Sequence, residues 1–195
     1  MKNLYLLDFD GTLTSKDSSK YFFKILLGKK FYYLYYLHNI FSILLYLLKL
    51  KNQFDLKKKR YKLLLNNTKY DKLCSVVYES DVLIDKIIRP EAREFFKKIK
   101  NKNNKVIIVS AGLSIFLEKW ANKNSFDLLT NNVFVNKERK FEFVYSYDCN
   151  GYGKVKRINE YIDINSFEKI YAYGDSAGDL EMLKLADKSY YKPFM

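Results

Sequence analysis

Three short apolar runs, each ending abruptly in a cluster of polar and glycine residues, constrain the fold of this chain more than any other feature. Residues 3–9 run into Asp8, Asp10 and Gly11; residues 105–109 end at Ser110, Ala111 and Gly112; residues 169–173 end at Gly174, Asp175 and Ser176. Continuous apolar runs of this length suit strands buried on both faces, as in a parallel sheet, because half-exposed strands alternate instead. The stretches 91–102, 114–123, 154–162 and 178–186 carry helical periodicity, so strands alternate with helices. That order predicts an α/β fold with a doubly wound, Rossmann-like parallel sheet. Each polar cluster then lies just past the carboxyl end of its strand, the edge where open α/β sheets bind ligands. Residues 133–135 and 141–145, separated by the charged stretch 136–140, predict a β-hairpin.

Residues 15–88 break this alternation, being helical in period throughout. The expected organisation is therefore a core of residues 1–14 and 89–195, with 15–88 inserted as a helical unit. Within the insertion, residues 31–50 form an apolar run flanked by lysines and close to the ~20 residues that could span a bilayer. A single span would strand Asp8 on one side of the membrane and Ser110, Lys154 and Asp175 on the other, with no second span to bring the chain back. Two arrangements remain: a helix buried in its own bundle, or one lying in the interface with its aromatic residues at headgroup depth. His38, Asn39 and Ser42 interrupt the run and favour the bundle. His38, the one histidine, is expected to face solvent or a cavity rather than to act as a catalyst.

Charge narrows the partners. Lysine and arginine number 35 against 22 aspartate and glutamate, a net +13, which favours nucleic acid, anionic lipid or a phosphorylated substrate. The lysines are dispersed, however, and lysine, asparagine, tyrosine, phenylalanine and isoleucine are all plentiful, as an A/T-rich coding bias would produce. No nucleic-acid module accompanies them, so a direct nucleic-acid function is not expected. Cys74 and Cys149 lie far apart and match neither a paired metal-ligand spacing nor a disulfide framework. With no export signal recognisable at Met1 to Asp8, a reducing cytoplasm is the expected location.

The strand-end clusters carry the chemistry. Asp8 and Asp10, at i and i+2, project to the same side of an extended chain, and Gly11 lets the backbone turn sharply beside them. Phosphate monoesters are among the slowest substrates to react unaided, with enzymatic accelerations reaching ~10²¹. Their hydrolysis calls for a nucleophile, a proton donor and charge neutralisation together. Asp8 can attack phosphorus; Asp10 can protonate the leaving oxygen and later activate water. On its own the tetrapeptide fits a turn or a fragment of a calcium loop equally well. Ser110 offers a hydroxyl, and Ala111 and Gly112 neighbouring N–H groups, at the start of a helix. Lys154 offers a cation, and Asp175 with Asp179 offers two carboxylates suited to a hard, oxygen-ligated magnesium ion. Singly, Ser110 is an ordinary helix cap and Lys154 an ordinary surface lysine; their order and shared location are what count.

With DFDGT, VSAG, GYGKVKRI and YGDSAGDLEML in that order, the chain resembles the haloacid dehalogenase superfamily along about its whole length, and within it the phosphoserine-phosphatase-like branch. The resemblance implies Asp8 as nucleophile through an aspartyl-phosphate, Asp10 as acid and base, and Thr12, Ser110 and Lys154 as phosphate ligands. It implies magnesium held by the Asp8 carboxylate, the Asp10 carbonyl and Asp175, with Asp179 acting through water or toward Lys154. The second aspartate argues against the dehalogenase branch, which lacks it and the metal. The insertion corresponds to a helical cap that closes over the substrate. Asp17 falls where phosphoserine phosphatases carry a glutamate for the substrate amine, and Arg60 near their carboxylate-binding arginine. Asp17 is shorter than that glutamate, and this cap is unusually aromatic, so the two residues read equally as a helix N-cap and a solvated helix face. The expected substrate is a small to medium anionic phosphate: an amino-alcohol or phosphoserine-like ester, or one on a larger carrier such as a nucleotide sugar. The alternatives are a phospholipid headgroup phosphatase and a membrane-surface protein that keeps the fold without turnover.

Overall fold

The computed structural model describes residues 3–47, 53–101, 103–135 and 141–195. The chain enters through β1 (Asn3–Leu7), turns tightly over Phe9–Leu13, and passes into α1 (Ser18–Leu27), α2 (Lys29–Leu47), α3 (Gln53–Asn66), α4 (Tyr70–Tyr78) and α5 (Ser80–Asp85). It returns through α6 (Pro90–Ile99), β2 (Asn104–Leu113), α7 (Ser114–Lys123), β3 (Asp127–Asn131) and the hairpin of β4 (Val133–Val135) and β5 (Phe141–Phe143). The remainder is α8 (Tyr152–Tyr161), β6 (Lys169–Gly174), a single turn, α9 (Leu180–Leu183) and β7 (Lys188–Tyr191).

The five parallel strands lie in the order β3-β2-β1-β6-β7. The chain first builds outward from β1 through β2 to β3, then crosses back to lay β6 on the other side, so the order reverses at β1. That reversal opens the crevice where such sheets bind ligands. Register brings the strand ends level, since Leu7 pairs with Ile108 on one side and Tyr173 on the other. Alternation along the strands splits the core in two. Leu4, Leu6, Ile107, Val109 and Ala172 pack with Ile158, Met182 and Leu183 from α8 and α9; Leu7, Val106 and Ile108 pack on the opposite face with Phe96 and Trp120 from α6 and α7.

Two strands went unanticipated. β3 and β7, DLLTN and KSYY, are short, polar and at the sheet edges, where only one flank needs to be covered. Strand β2 also continues to Leu113 through Ser110, with a register shift between Val109 and Leu113 that kinks its end. The helix expected over 178–186 shrinks to α9, because a capping box between Ser176 and Asp179 spends the preceding residues on a tight turn. The hairpin forms as expected, with β5 ending at Phe143, and the 136–140 stretch lies outside the described residues.

The insertion is helical over its described residues. Where the chain crosses into and out of it, the two passages are tied together: Ser15 N–H donates to Ile87 O at 2.8 Å, and Arg89 N–H to Leu13 O at 2.9 Å. Helix α2 departs from the buried-bundle expectation. Phe31, Leu34 and Tyr35 pack inward, but Tyr33, Tyr36, Leu37, Ile40 and Leu44 stand between 42% and 69% exposed. Residues 48–50 of the apolar run and the side chain of His38 lie outside the described residues. Among the described residues no helix is long and apolar enough to cross a membrane.

Candidate active site

Asp8 continues the ladder past β1, its N–H donating to Tyr173 O at 2.9 Å, and its carboxylate is buried at the end of the crevice. The turn that follows closes through Thr14 N–H to Phe9 O at 3.1 Å, with Gly11 at φ +90°. Only glycine fits there: a Cβ would lie 2.5 Å from Asp175 Oδ2, in a region of φ that side chains avoid.

Lys154, on the first turn of α8, is fully enclosed. Its Nζ donates to Asp8 Oδ1 at 2.6 Å, Asp179 Oδ1 at 2.7 Å and the Val109 carbonyl at 2.8 Å. An ammonium has three protons to donate, and all three are used. Burial works against its charge, but the Asp8 and Asp179 carboxylates outweigh burial and hold its pKa above the ordinary lysine value. Asp179 shows the converse: burial would raise its pKa, yet Lys154 and the Ser176 donors keep it below the usual carboxylate range.

Both Asp179 oxygens are occupied. Oδ1 takes Lys154, and Oδ2 accepts from Asp175 N–H at 3.1 Å, Ser176 N–H at 2.9 Å and Ser176 Oγ at 2.8 Å. Asp175 uses Oδ1 to accept from Thr12 Oγ1 at 3.1 Å. Asp8 Oδ2 is buried with no hydrogen-bond partner. Carboxylate oxygens of Asp8, Asp175 and Asp179 all lie within 4.8 Å of one another, among the described residues. An orphaned carboxylate oxygen, hard oxygen donors and a surplus of negative charge over one lysine fit a magnesium ion. Asp8 and Asp175 have oxygens to give it, whereas Asp179 is committed to holding Lys154 and the loop.

The Asp10 carboxylate accepts from Ser18 N–H at 2.7 Å and Ser18 Oγ at 3.1 Å. Its pKa is pushed up to about 8, first by burial and then by the Asp17 carboxylate, which together outweigh the Ser18 donors. Asp8 rises to about 6, chiefly by burial, with Lys154 opposing. Two carboxylates two residues apart thus differ in proton affinity, and Asp10 is the better placed to carry a proton at neutral pH. The buried Ser110 accepts from Gly112 N–H at 3.0 Å through its Oγ.

Asp8, Asp10, Lys154 and Asp179 floor a cavity of about 480 Å³ whose far wall is the helical insertion. Arg60 of α3 is on that wall rather than on a solvated face. Its Nη1 donates to Asn39 Oδ1 at 2.7 Å, its guanidinium lies 5.1 Å from the Tyr35 ring and 5.6 Å from the Tyr61 ring, and its Nε is buried without a partner. Asp17 caps α1, accepting from Lys20 N–H at 2.7 Å, and also lines the cavity. Three further residues carried no signal in the sequence. Lys57 of α3 donates to both oxygens of Asp148 at 2.8 and 2.9 Å and to Ala111 O at 3.0 Å. Asn131 joins them, donating to Ala111 O at 2.8 Å and Asp148 Oδ1 at 2.7 Å.

A family model described as haloacid dehalogenase-like hydrolase matches residues 5–184. Protein CicA of Caulobacter vibrioides is 27% identical over 194 residues, covering 98% of this chain and 86% of its own. Among solved structures, a protein with unknown function from Bordetella pertussis Tohama I superposes with a TM-score of 0.77 at 18% identity, covering 97% of this chain and 89% of the other. A substrate-bound phosphoserine phosphatase complex superposes at 0.67 with 20% identity, covering 98% and 86%. At these identities the superpositions speak for the fold.

Proposed function

The chain belongs to the haloacid dehalogenase-like hydrolase family, and on that premise we propose that it is a phosphatase that cleaves an organic phosphate monoester through an aspartyl-phosphate on Asp8. The observation that carries this is the Asp8 carboxylate itself, buried at the floor of the cavity, oriented through one oxygen by Lys154 and left unpartnered at the other. In the first step an Asp8 oxygen forms a bond to phosphorus while the ester oxygen departs, taking a proton from Asp10. In the second, water attacks the aspartyl-phosphate, gives its proton to Asp10, and releases inorganic phosphate and free Asp8. Ser18 holds the Asp10 carboxyl in place for both transfers. Ser110, the Ala111 and Gly112 amides and Thr12 are the proposed partners of the phosphate oxygens, with Lys154 neutralising charge. Magnesium, held by Asp8, Asp175 and the Asp10 carbonyl, would supply further neutralisation of the phosphate.

For the substrate we propose a phosphoserine-like or amino-alcohol phosphate, alone or on a larger anionic carrier. Asp17 and Arg60, which both line the cavity, support it, as does the likeness to a phosphoserine phosphatase. Asp8→Asn keeps the shape and removes the nucleophile. We expect a folded protein with less than about a hundredth of wild-type turnover and no capture of beryllium fluoride in magnesium. Turnover above that level would move the nucleophile elsewhere.

A further inference from the structure

A helix apolar on all sides belongs in a core, because each apolar face left in water forgoes the gain of burial. Among its described side chains, helix α2 is covered on one side only. At 100° per residue, Tyr33, Tyr36, Leu37, Ile40 and Leu44 fall within an arc of about 100° and extend about 17 Å along the axis. The exposed Lys29 and Lys30 continue the same stripe at its amino end. Among the described residues the stripe carries tyrosines and lysines at one end and aliphatic residues at the other.

Charge selects what covers it. Between Asp17 and Asp55 the sequence holds six lysines and no aspartate or glutamate, within a chain of net charge +13. A symmetric pair of chains meeting through α2 would set two such segments against each other, at a cost from like charges. An anionic bilayer has the complementary arrangement: negative headgroups for the lysines, an interfacial layer for tyrosine rings and acyl chains for Leu37, Ile40 and Leu44. We propose that α2 docks this protein on the surface of anionic membranes, lying in the interface with its exposed stripe downward. The flank of the same helix, about 110° round from the middle of the stripe, carries Asn39 to the catalytic cavity, so docking holds that cavity near the lipid surface. The proposal stands on the stripe and the charge, independently of the reaction assigned to the cavity.

Co-sedimentation of the full chain with extruded vesicles tests it. Wild type should partition onto vesicles of phosphatidylcholine with phosphatidylglycerol, far more weakly onto phosphatidylcholine alone, and less as salt is raised. Ile40→Glu with Leu44→Glu should weaken the partition by about tenfold or more, with circular dichroism and thermal midpoint unchanged. Should that variant not fold, Lys29→Glu with Lys30→Glu, which alters only exposed charge, should lower binding to anionic vesicles by a similar factor. Failure of wild type to bind anionic vesicles overturns the proposal. So does undiminished binding by the folded variants, and so does a wild-type dimer in light scattering that the Ile40 and Leu44 changes dissociate.

Discussion

A buried guanidinium nitrogen without a partner is costly, since the group forfeits its hydration and gains nothing in return. Arg60 carries such a nitrogen while Asn39, Tyr35 and Tyr61 fix the rest of the side chain. A substrate carboxylate or phosphate reaching that wall would complete it. Remote contacts of this kind act mainly on KM. Arg60→Ala should therefore raise KM for an anionic phosphoserine-like substrate by roughly 10–100-fold, the worth of one or two charge-assisted hydrogen bonds. The rise should be several-fold smaller for nitrophenyl phosphate, which has no charged remote part. Steady-state kinetics on the two substrates decides, and equal losses on both would place Arg60 in the catalytic centre or the framework. Residues of this kind differ in legibility. Asp8, Asp10, Ser110, Lys154, Asp175 and Asp179 could be picked out because each sits in a short cluster at a strand end or helix start whose spacing already suggests chemistry. Lys57 and Asp148, 91 residues apart, sit in no such cluster, and only the fold brings them together.

At the scale of elements, that pair joins α3 to the loop ahead of α8. Lys57 and Asp148 side chains are 16% and 20% exposed, and Ala111 O and Asn131 share the contact, so the bridge is shielded from solvent far more than a surface pair. Removing Lys57 leaves the half-buried Asp148 carboxylate with the Asn131 donor but without its counter-charge. Lys57→Met should loosen α3 from the sheet edge, lowering stability by about 1–3 kcal/mol and speeding amide exchange in α3 while β1 and β2 stay protected. Uniform exchange across both units, or no change, would show that the bridge does not hold the insertion to the core. The same contrast between local and distant signals explains which elements could be foreseen. β1, β2 and β6 are buried on both faces and read as apolar runs, whereas β3 and β7 are polar edges whose pairing is decided by neighbours distant in sequence. α2 was expected to be buried because His38, Asn39 and Ser42 interrupt its apolar run; composition does not tell which face of such a run is covered, and among its described side chains one face is open.

Taken as a whole, the molecule assembles a site with more negative than positive charge inside a chain of net charge +13. Asp8 and Lys154 are 146 residues apart in sequence, so this site does not exist in the unfolded chain. A divalent cation that binds the carboxylates therefore binds the folded state alone and stabilises it by mass action, about 2.7 kcal/mol at a hundredfold excess over Kd. For a chain of this length that corresponds to a rise in thermal midpoint of roughly 5–10 °C. Magnesium should produce such a rise, and chelator should reverse it. Sodium chloride at matched ionic strength should not reproduce it, because a strongly cationic protein gains little from diffuse cations. Asp175→Asn should abolish most of the magnesium shift, as it removes a ligand that has an oxygen to spare. Asp179→Asn should instead lower the midpoint before any metal is added, since it deprives the buried Lys154 of one of its two counter-charges. Equal midpoints in magnesium and in chelator would show that Asp8 and Asp175 do not hold a metal.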